Sequence, residues 1–150
     1  MTLYPFRPID YPLPSKRATP TGFVYLLMSL IDRNCIYIGQ TENLKKRFQQ
    51  HNTGKLKNIA DPSLKPWTLL LFYTGFLNPR ERKHFEQQWI YKRNWQRKNY
   101  GESHLTLSSI IDIGNSLCIE HNNEPTTDNQ IICHKCFLDD IVSEESTGAE

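Results

Sequence analysis

Long apolar runs are missing from this 150-residue chain. Nothing approaches the ~20 consecutive apolar residues that a membrane helix needs, and no positively charged leader precedes an apolar block. The expectation is a protein with no membrane contact. Cysteine is scarce as well: there are four, Cys35 in a strand-like stretch and Cys118, Cys133 and Cys136 in the last third. That distribution excludes a secreted disulfide framework and favours a reducing intracellular compartment, the nucleus in a eukaryote and otherwise the cytoplasm. Positive charge is nearly absent from one region, since residues 101–150 hold 1 Lys or Arg against 10 Asp or Glu, a net −9.

Residues 1–100 carry the opposite balance, 17 Lys or Arg against 6 Asp or Glu, a net +11 that leaves +2 overall. Between Lys45 and Lys98 there are 13 basic and 3 acidic residues, interleaved with Phe48, Phe85, Trp89, Tyr91 and Trp95. Basic groups among aromatics are the composition of a nucleic-acid surface, because attraction to phosphate supplies most non-specific affinity. Solubility alone would not cluster charge in this way. The first twenty residues contain five prolines and read as an extended arm over residues 1–21. The acidic end beyond it all, residues 101–150, reads as a separate segment whose last ten residues lack the apolar content to order themselves.

Hydrophobic patterning places the elements. GFVYLLMSL (22–30) and CIYIG (35–39) are β-rich runs at hairpin distance. A helix is predicted over 41–52, with Thr41 or Asn43 as its cap and Leu44 and Phe48 on one face. WTLLLFYTGF (67–76) reads as a buried third strand. Asn78, Pro79 and Glu81 then supply a cap, a first-turn proline and a capping-box glutamate for a helix reaching Lys98 or Asn99. The order β-β-α-β-α gives an α/β (α+β) domain over 22–100, a three-stranded central sheet with flanking helices. Leu44, Phe48, Trp67, Leu69 to Phe72, Phe85 and Trp89 are assigned to its core. TLSSIIDIG after Gly101 is open between short helix and strand.

Phe23-Val24-Tyr25 in the first strand, Tyr37-Ile38-Gly39 in the second, and Arg47 with His51 on the helix form a constellation. This resembles the GIY-YIG nuclease superfamily, named for two such tripeptides at about this spacing. The second tripeptide matches in full, whereas Phe23 stands where the first has Gly, with Gly22 one position earlier. The resemblance continues through Gln50 to Gly54, Lys65-Pro66-Trp67 and Phe85-Glu86, and is strongest to the structure-specific nucleases that cut branched DNA as catalytic subunits of a larger scaffold protein. Excision-repair incision nucleases and homing endonucleases share the same core. The resemblance implies that Tyr25 and Tyr37 line the site, one of them contacting the attacking water. It implies Arg47 on the scissile phosphate, His51 in proton transfer, and Glu86 holding one Mg²⁺ or Mn²⁺. Asn94 and Asn99 are open alternatives for a further site amide. DNA contacts are expected from Gly39, Lys45, Lys46, Lys55, Lys57, Arg82 and Arg93.

The chemistry of these residue types is consistent with that implication. A planar guanidinium pairs two phosphate oxygens at once. A carboxylate-held divalent cation acts as a Lewis acid at the leaving oxygen. Histidine titrates near neutrality when unperturbed, and glycine permits close approach of the backbone. Each residue also has a plainer role: strand aromatic, solvated arginine, or a surface ion pair of Glu86 with Arg82 or Arg93.

Cys118-x₂-His121 and Cys133-x₂-Cys136 are two chelate-like pairs, which makes 118–136 a candidate Zn²⁺ module, with His134 able to replace His121. The alternative is an acidic tail with unrelated cysteines. The expectation for the whole is thus a Mg²⁺- or Mn²⁺-dependent DNA endonuclease acting on branched or flap DNA in repair or recombination. Its rivals are a homing or restriction-type enzyme and a non-catalytic DNA-binding adaptor on the same scaffold.

Overall fold

The computed structural model describes residues 22–53, 62–102, 105–127 and 129–136. The N-terminal arm, Lys55 and Lys57, and the acidic end after residue 136 lie outside the described residues. The elements are β1 (Phe23–Ser29), β2 (Ile36–Thr41), α1 (Leu44–Thr53), β3 (Trp67–Thr74), α2 (Pro79–Tyr100), α3 (Leu107–Asn122) and β4 (Ile132–Lys135), with a single 3₁₀ turn at Pro62–Leu64. The strands form one antiparallel sheet in the order β2-β1-β3-β4.

Alternation along the strands sorts the core onto two faces. Val24, Leu26 and Met28 of β1 and Ile38 of β2 join Phe85 and Trp89 of α2 and Leu107, Ile110, Ile111 and Ile113 of α3. Phe23, Tyr25 and Leu27 point to the other face, with Leu44 and Phe48 of α1 and Trp67, Leu69 and Phe72 of β3. Every residue assigned to the core from the sequence is buried. A register shift between Leu26 and Leu27, which pair with Leu71 and Leu69, lets neighbouring Leu70 and Leu71 both face α2.

The helices begin where local chemistry tells them to. Asn43 Oδ1 accepts from the Lys46 amide at 3.1 Å, and Asn78 Oδ1 accepts from the Glu81 amide at 2.8 Å. Pro79 opens α2 without losing a bond, since its missing donor is an unpaired one anyway.

One expectation is corrected here and one open alternative is resolved. The sheet has four strands, the fourth being β4, which pairs Leu71 to Thr74 with Lys135 to Ile132. TLSSIIDIG is the first half of α3, whose Thr106 cap accepts from the Ser109 amide at 3.1 Å. This helix is held to the sheet and to α2 by buried bonds: Trp89 Nε1 donates to the Ile110 carbonyl at 2.9 Å and Tyr73 Oη to Asn115 Oδ1 at 2.6 Å. A carboxylate-imidazole contact, Glu81 Oε2 to His121 Nε2 at 3.0 Å, joins the two helices where α2 starts and α3 ends.

The candidate zinc ligands are not gathered. Strand alternation puts Cys133 on the α3 face, packed beside Cys118, and Cys136 on the α1 face, an odd spacing that splits the expected chelate. Cys118 Sγ donates to the Ile131 carbonyl at 3.4 Å, His121 is engaged by Glu81, and His134 stacks on Phe72 at 4.8 Å. Among the described residues no group of three or more His, Cys, Asp or Glu is placed to hold a metal ion. Nor, among them, is any helix long and apolar enough to cross a membrane.

Candidate active site

The site is built around β2, the open edge of the sheet. Tyr37 and Gly39 face α1, whereas Ile36, Ile38 and Gln40 face α2, so one short strand serves both sides. The central contact is Tyr25 Oη to His51 Nε2 at 2.9 Å, in a pocket where Tyr25 is 1% and His51 2% exposed. Tyr37 closes the cluster, its ring 4.9 Å from that of His51 and 6.2 Å from that of Tyr25. Arg47, one turn before His51 on α1, is half-buried and close enough to favour the ionised form of the Tyr25 hydroxyl.

Gly39 owes its identity to this packing. A Cβ there would lie 2.5 Å from Tyr25 Oη, 2.6 Å from Tyr25 Cζ and 2.7 Å from Tyr37 Cε1. Gly22, just before β1, has φ +76°, and a Cβ would meet Arg82 Nη1 and the Thr41 carbonyl, both at 2.5 Å. Phe23, the departure from the family tripeptide, lies on the same face as Tyr25, buried in the α1 cluster, and meets Phe72 edge-on at 5.7 Å.

Asn52 fixes the end of α1. Its Oδ1 accepts from the Trp67 amide at 2.6 Å and its Nδ2 donates to the Trp67 carbonyl at 3.1 Å, like one more rung of a ladder. Hence His51-Asn52 and Pro66-Trp67, far apart in sequence, belong to one arrangement that aims His51 at Tyr25.

Glu86 comes from α2 on the other side of β2. It is half-buried, and Gln40 Nε2 donates to Glu86 Oε1 at 3.3 Å. Gln40 is oriented in turn by Arg82 Nε, which donates to Gln40 Oε1 at 2.8 Å. Because a guanidinium only donates, it holds the amide oxygen and turns the NH₂ toward Glu86. Tyr25, Tyr37, Arg47 and His51 thus gather on the α1 face, and Glu86 faces them across the edge strand, near enough to add to burial in raising the Tyr37 pKa. Asn94 and Asn99 are not among them: they lie about 12 Å and 20 Å along α2 from Glu86, exposed, with Asn94 Oδ1 accepting from Arg93 and Asn99 donating to the Trp95 carbonyl.

Electrostatics within the cluster are dominated by burial. Burial, then Tyr37, pushes the Tyr25 phenol well above its usual pKa, with Arg47 opposing. Tyr37 is raised by burial and then by Glu86. Burial, then Arg47, lowers His51 to about 4, so its imidazole is neutral through the physiological range, below the near-neutral titration expected from sequence. Glu86 is raised by burial, against the opposing effects of Gln40, Arg82 and Lys83. The Glu86 carboxylate keeps one oxygen without a hydrogen bond among the described residues. A hard, partly desolvated oxygen donor of that kind fits a divalent cation that takes its remaining ligands from water and phosphate.

Beside this cluster lies a groove of about 620 Å³ between the starts of α1 and α2, lined by Gln40, Asn43, Lys46, Arg47, Arg82 and Lys83 among others. Its lining holds four cations, and Glu42 is its one carboxylate. Lys45 is exposed on α1, and Arg93 is half-buried two turns beyond Glu86 on α2. Sequence reasoning missed Gln40, Asn52, Lys83 and Arg97. Gln40 was reachable, since alternation from Ile38 puts it on the α2 face.

Comparison with known proteins fits this geometry. The GIY-YIG catalytic domain model matches residues 21–100. The chain is 34% identical over 85 residues to the structure-specific endonuclease subunit slx1 of Botryotinia fuckeliana, covering 55% of this chain and 19% of that protein. It is 39% identical over 72 residues to the corresponding homolog of Caenorhabditis elegans, covering 44% of this chain and 16% of that one. A third relative, from Penicillium rubens, is 37% identical over 68 residues, 43% of this chain and 17% of the relative. The chain therefore spans about a fifth or less of the length of these curated relatives. With its catalytic-domain match over residues 21–100, the chain belongs to the GIY-YIG family.

Proposed function

We propose that this protein is a DNA endonuclease that hydrolyses phosphodiester bonds on branched or flapped duplexes. One observation carries the reading: the buried Tyr25–His51 pair and Tyr37 share one face of the sheet with Arg47, which lines a cationic groove, while Glu86 lies across β2, near enough to add to burial in raising the Tyr37 pKa. Similarity to structure-specific endonuclease subunits supports the substrate class, and a scaffold protein as partner and a role in repair or recombination in the nucleus belong to the same proposal.

In this reading Arg47 pairs two oxygens of the scissile phosphate. Tyr37 is only half-buried, so its hydroxyl is the one that orients the attacking water. The water proton leaves through the Tyr25 hydroxyl to Nε2 of His51, whose neutral form carries the accepting lone pair. Burial and Arg47 disfavour the cation, so the imidazole relays the proton and does not retain it. The water oxygen bonds to phosphorus while the bond to the 3′-oxygen breaks. Glu86 would hold Mg²⁺ or Mn²⁺, which supplies Lewis-acid stabilisation of the leaving oxygen. Gln40 and Arg82 keep the Glu86 carboxylate in place. Lys45, Lys46, Lys55, Lys57, Arg82 and Arg93 serve as phosphate contacts, and Gly39 makes room for the tyrosines.

The test is incubation with flap, junction and linear duplex DNA, in Mg²⁺ or in EDTA. Arg47→Ala and Glu86→Gln should each lower the cutting rate by at least ~100-fold while the flap remains bound. Cutting that survives both substitutions would remove the proposed site, and binding without any cutting would favour a DNA-binding adaptor.

A further inference from the structure

At the other end of β2 from the groove there is a second pocket, of about 330 Å³, lined by Asn34, Ile36, Arg93, Arg97, Glu102, Leu105 and Ile110. Arg93 and Arg97 stand one turn apart on the same side of α2 as Arg82 and Glu86. Arg93 is half-buried, yet among the described residues no carboxylate pairs with it. Its guanidinium reaches only the Asn94 side-chain oxygen, through two long bonds of 3.3 Å. Burial, then Arg97, works against its charge. Arg97 meets the exposed Glu102 at 2.9 Å. Two guanidinium groups beside an apolar floor, with one solvent-exposed carboxylate that pairs among the described residues with Arg97 alone, are short of one negative charge.

Position gives that charge a source. Arg93 follows Glu86 by seven residues, two helical turns or about 10 Å of axis, and Arg97 lies one turn further. Strand β2 runs beside this face, with Gln40 at the Glu86 end and Ile36 and Asn34 at the Arg93 end. A DNA strand leaving the Arg47 groove along this edge passes a phosphate about every 3.4 Å of duplex axis, so the pocket is roughly three nucleotides from the scissile bond. We propose that Arg93, Arg97 and Asn34 form a second phosphate pocket, which grips the backbone of the DNA strand leaving the catalytic groove, with Glu102 occupying the place of that phosphate in the free protein. The proposal rests on the nuclease reading for the identity of its ligand.

The experiment is DNA binding by the full chain in EDTA, read by fluorescence anisotropy of a labelled flapped duplex over a salt series, with thermal melts to establish that each variant is folded. Arg93→Gln/Arg97→Gln should weaken binding about tenfold and flatten the slope of log affinity against log salt by about 1 to 2 units. Arg93→Lys should keep the slope but bind more weakly, because an ammonium lacks the two-pronged fit. Glu102→Gln should tighten binding, and do so more than Glu120→Gln on the exposed side of α3, a control for net charge alone. An unchanged affinity and slope in the folded double variant overturns the pocket, and so do equal gains from Glu102→Gln and Glu120→Gln. Cutting in Mg²⁺ is scored separately. A wild-type chain that binds through this pocket and never cuts retires the nuclease reading and upholds the pocket, whereas a chain that cuts while the double variant binds normally does the reverse.

Discussion

Gly39 and His51 show how little room the site leaves. The backbone at Gly39 lies against the Tyr25 hydroxyl, and the buried Tyr25 ring has no free space to retreat into. Gly39→Ala should therefore cost about 1–3 kcal/mol of stability, read as a lower denaturation midpoint, and should break the Tyr25–His51 contact. His51 makes a pH prediction. Its folded pKa of about 4 lies below the unfolded value of 6.5, so between those limits the unfolded chain binds the extra proton. Stability falls as the pH drops from about 6.5 to about 4, by about 3 kcal/mol from this residue. His51→Gln lacks that titration. The stability difference between wild type and His51→Gln should shrink by about that amount from pH 7.5 to pH 4 in urea melts, and a constant difference would contradict the buried neutral imidazole. At this scale the sequence was informative about the members of the cluster and silent about their depth. Tyr37-Ile38-Gly39, Arg47, His51 and Glu86 are recognisable by order and spacing, but burial, which sets their pKa values, comes from strands and helices far away in the chain.

Elements were legible wherever their cause is local. The Asn78-Pro79-Glu81 start of α2 is a matter of a few side chains and one turn, and it forms as the spacing predicts. The apolar run of β3 is long enough to announce a buried strand. β4 has no such signature. Ile132 to Lys135 is a short stretch with largely exposed side chains, and it is a strand because β3 offers it an open edge. The spacing of Cys133 and Cys136 suits a metal chelate in a turn, but in an extended segment a three-residue step points the two thiols to opposite faces. α3 was ambiguous for a related reason. Its apolar residues at 107, 110, 111, 117 and 118 follow a helical period, but Gly114 weakens the local signal. That glycine is there because a Cβ would lie 2.8 Å from Trp89 Cζ2 and 2.9 Å from Tyr73 Oη, so the helix can pack only by close approach.

The whole chain is divided by charge and united by its core. The cationic groove and the Arg93–Arg97 pocket flank β2, while α3 turns Asp112 and Glu120 toward a separate groove alongside Tyr91 and Trp95. Reading charge alone separates residues 1–100 from the rest. Packing does not, because Leu107, Ile110, Ile111, Ile113, Cys118 and Ile131 share one cluster with Val24, Leu26, Met28 and Trp89. A chain ending at Tyr100 would expose that face of the sheet, strip the Ile110 carbonyl from Trp89 Nε1 and leave Tyr73 Oη without Asn115. Losing six buried apolar side chains removes on the order of 10 kcal/mol, comparable with the whole stability of a domain this size. The 1–100 fragment should accordingly show no cooperative thermal transition in near-UV circular dichroism, and its DNA binding should report an unfolded polycation rather than a site. A cooperative melt close to that of the full chain would mean that α3 and β4 decorate the nuclease fold instead of completing it. Since Glu86 is positioned by α2, and α2 is held to α3 through Trp89, the acidic part of the chain is a structural condition of the basic face.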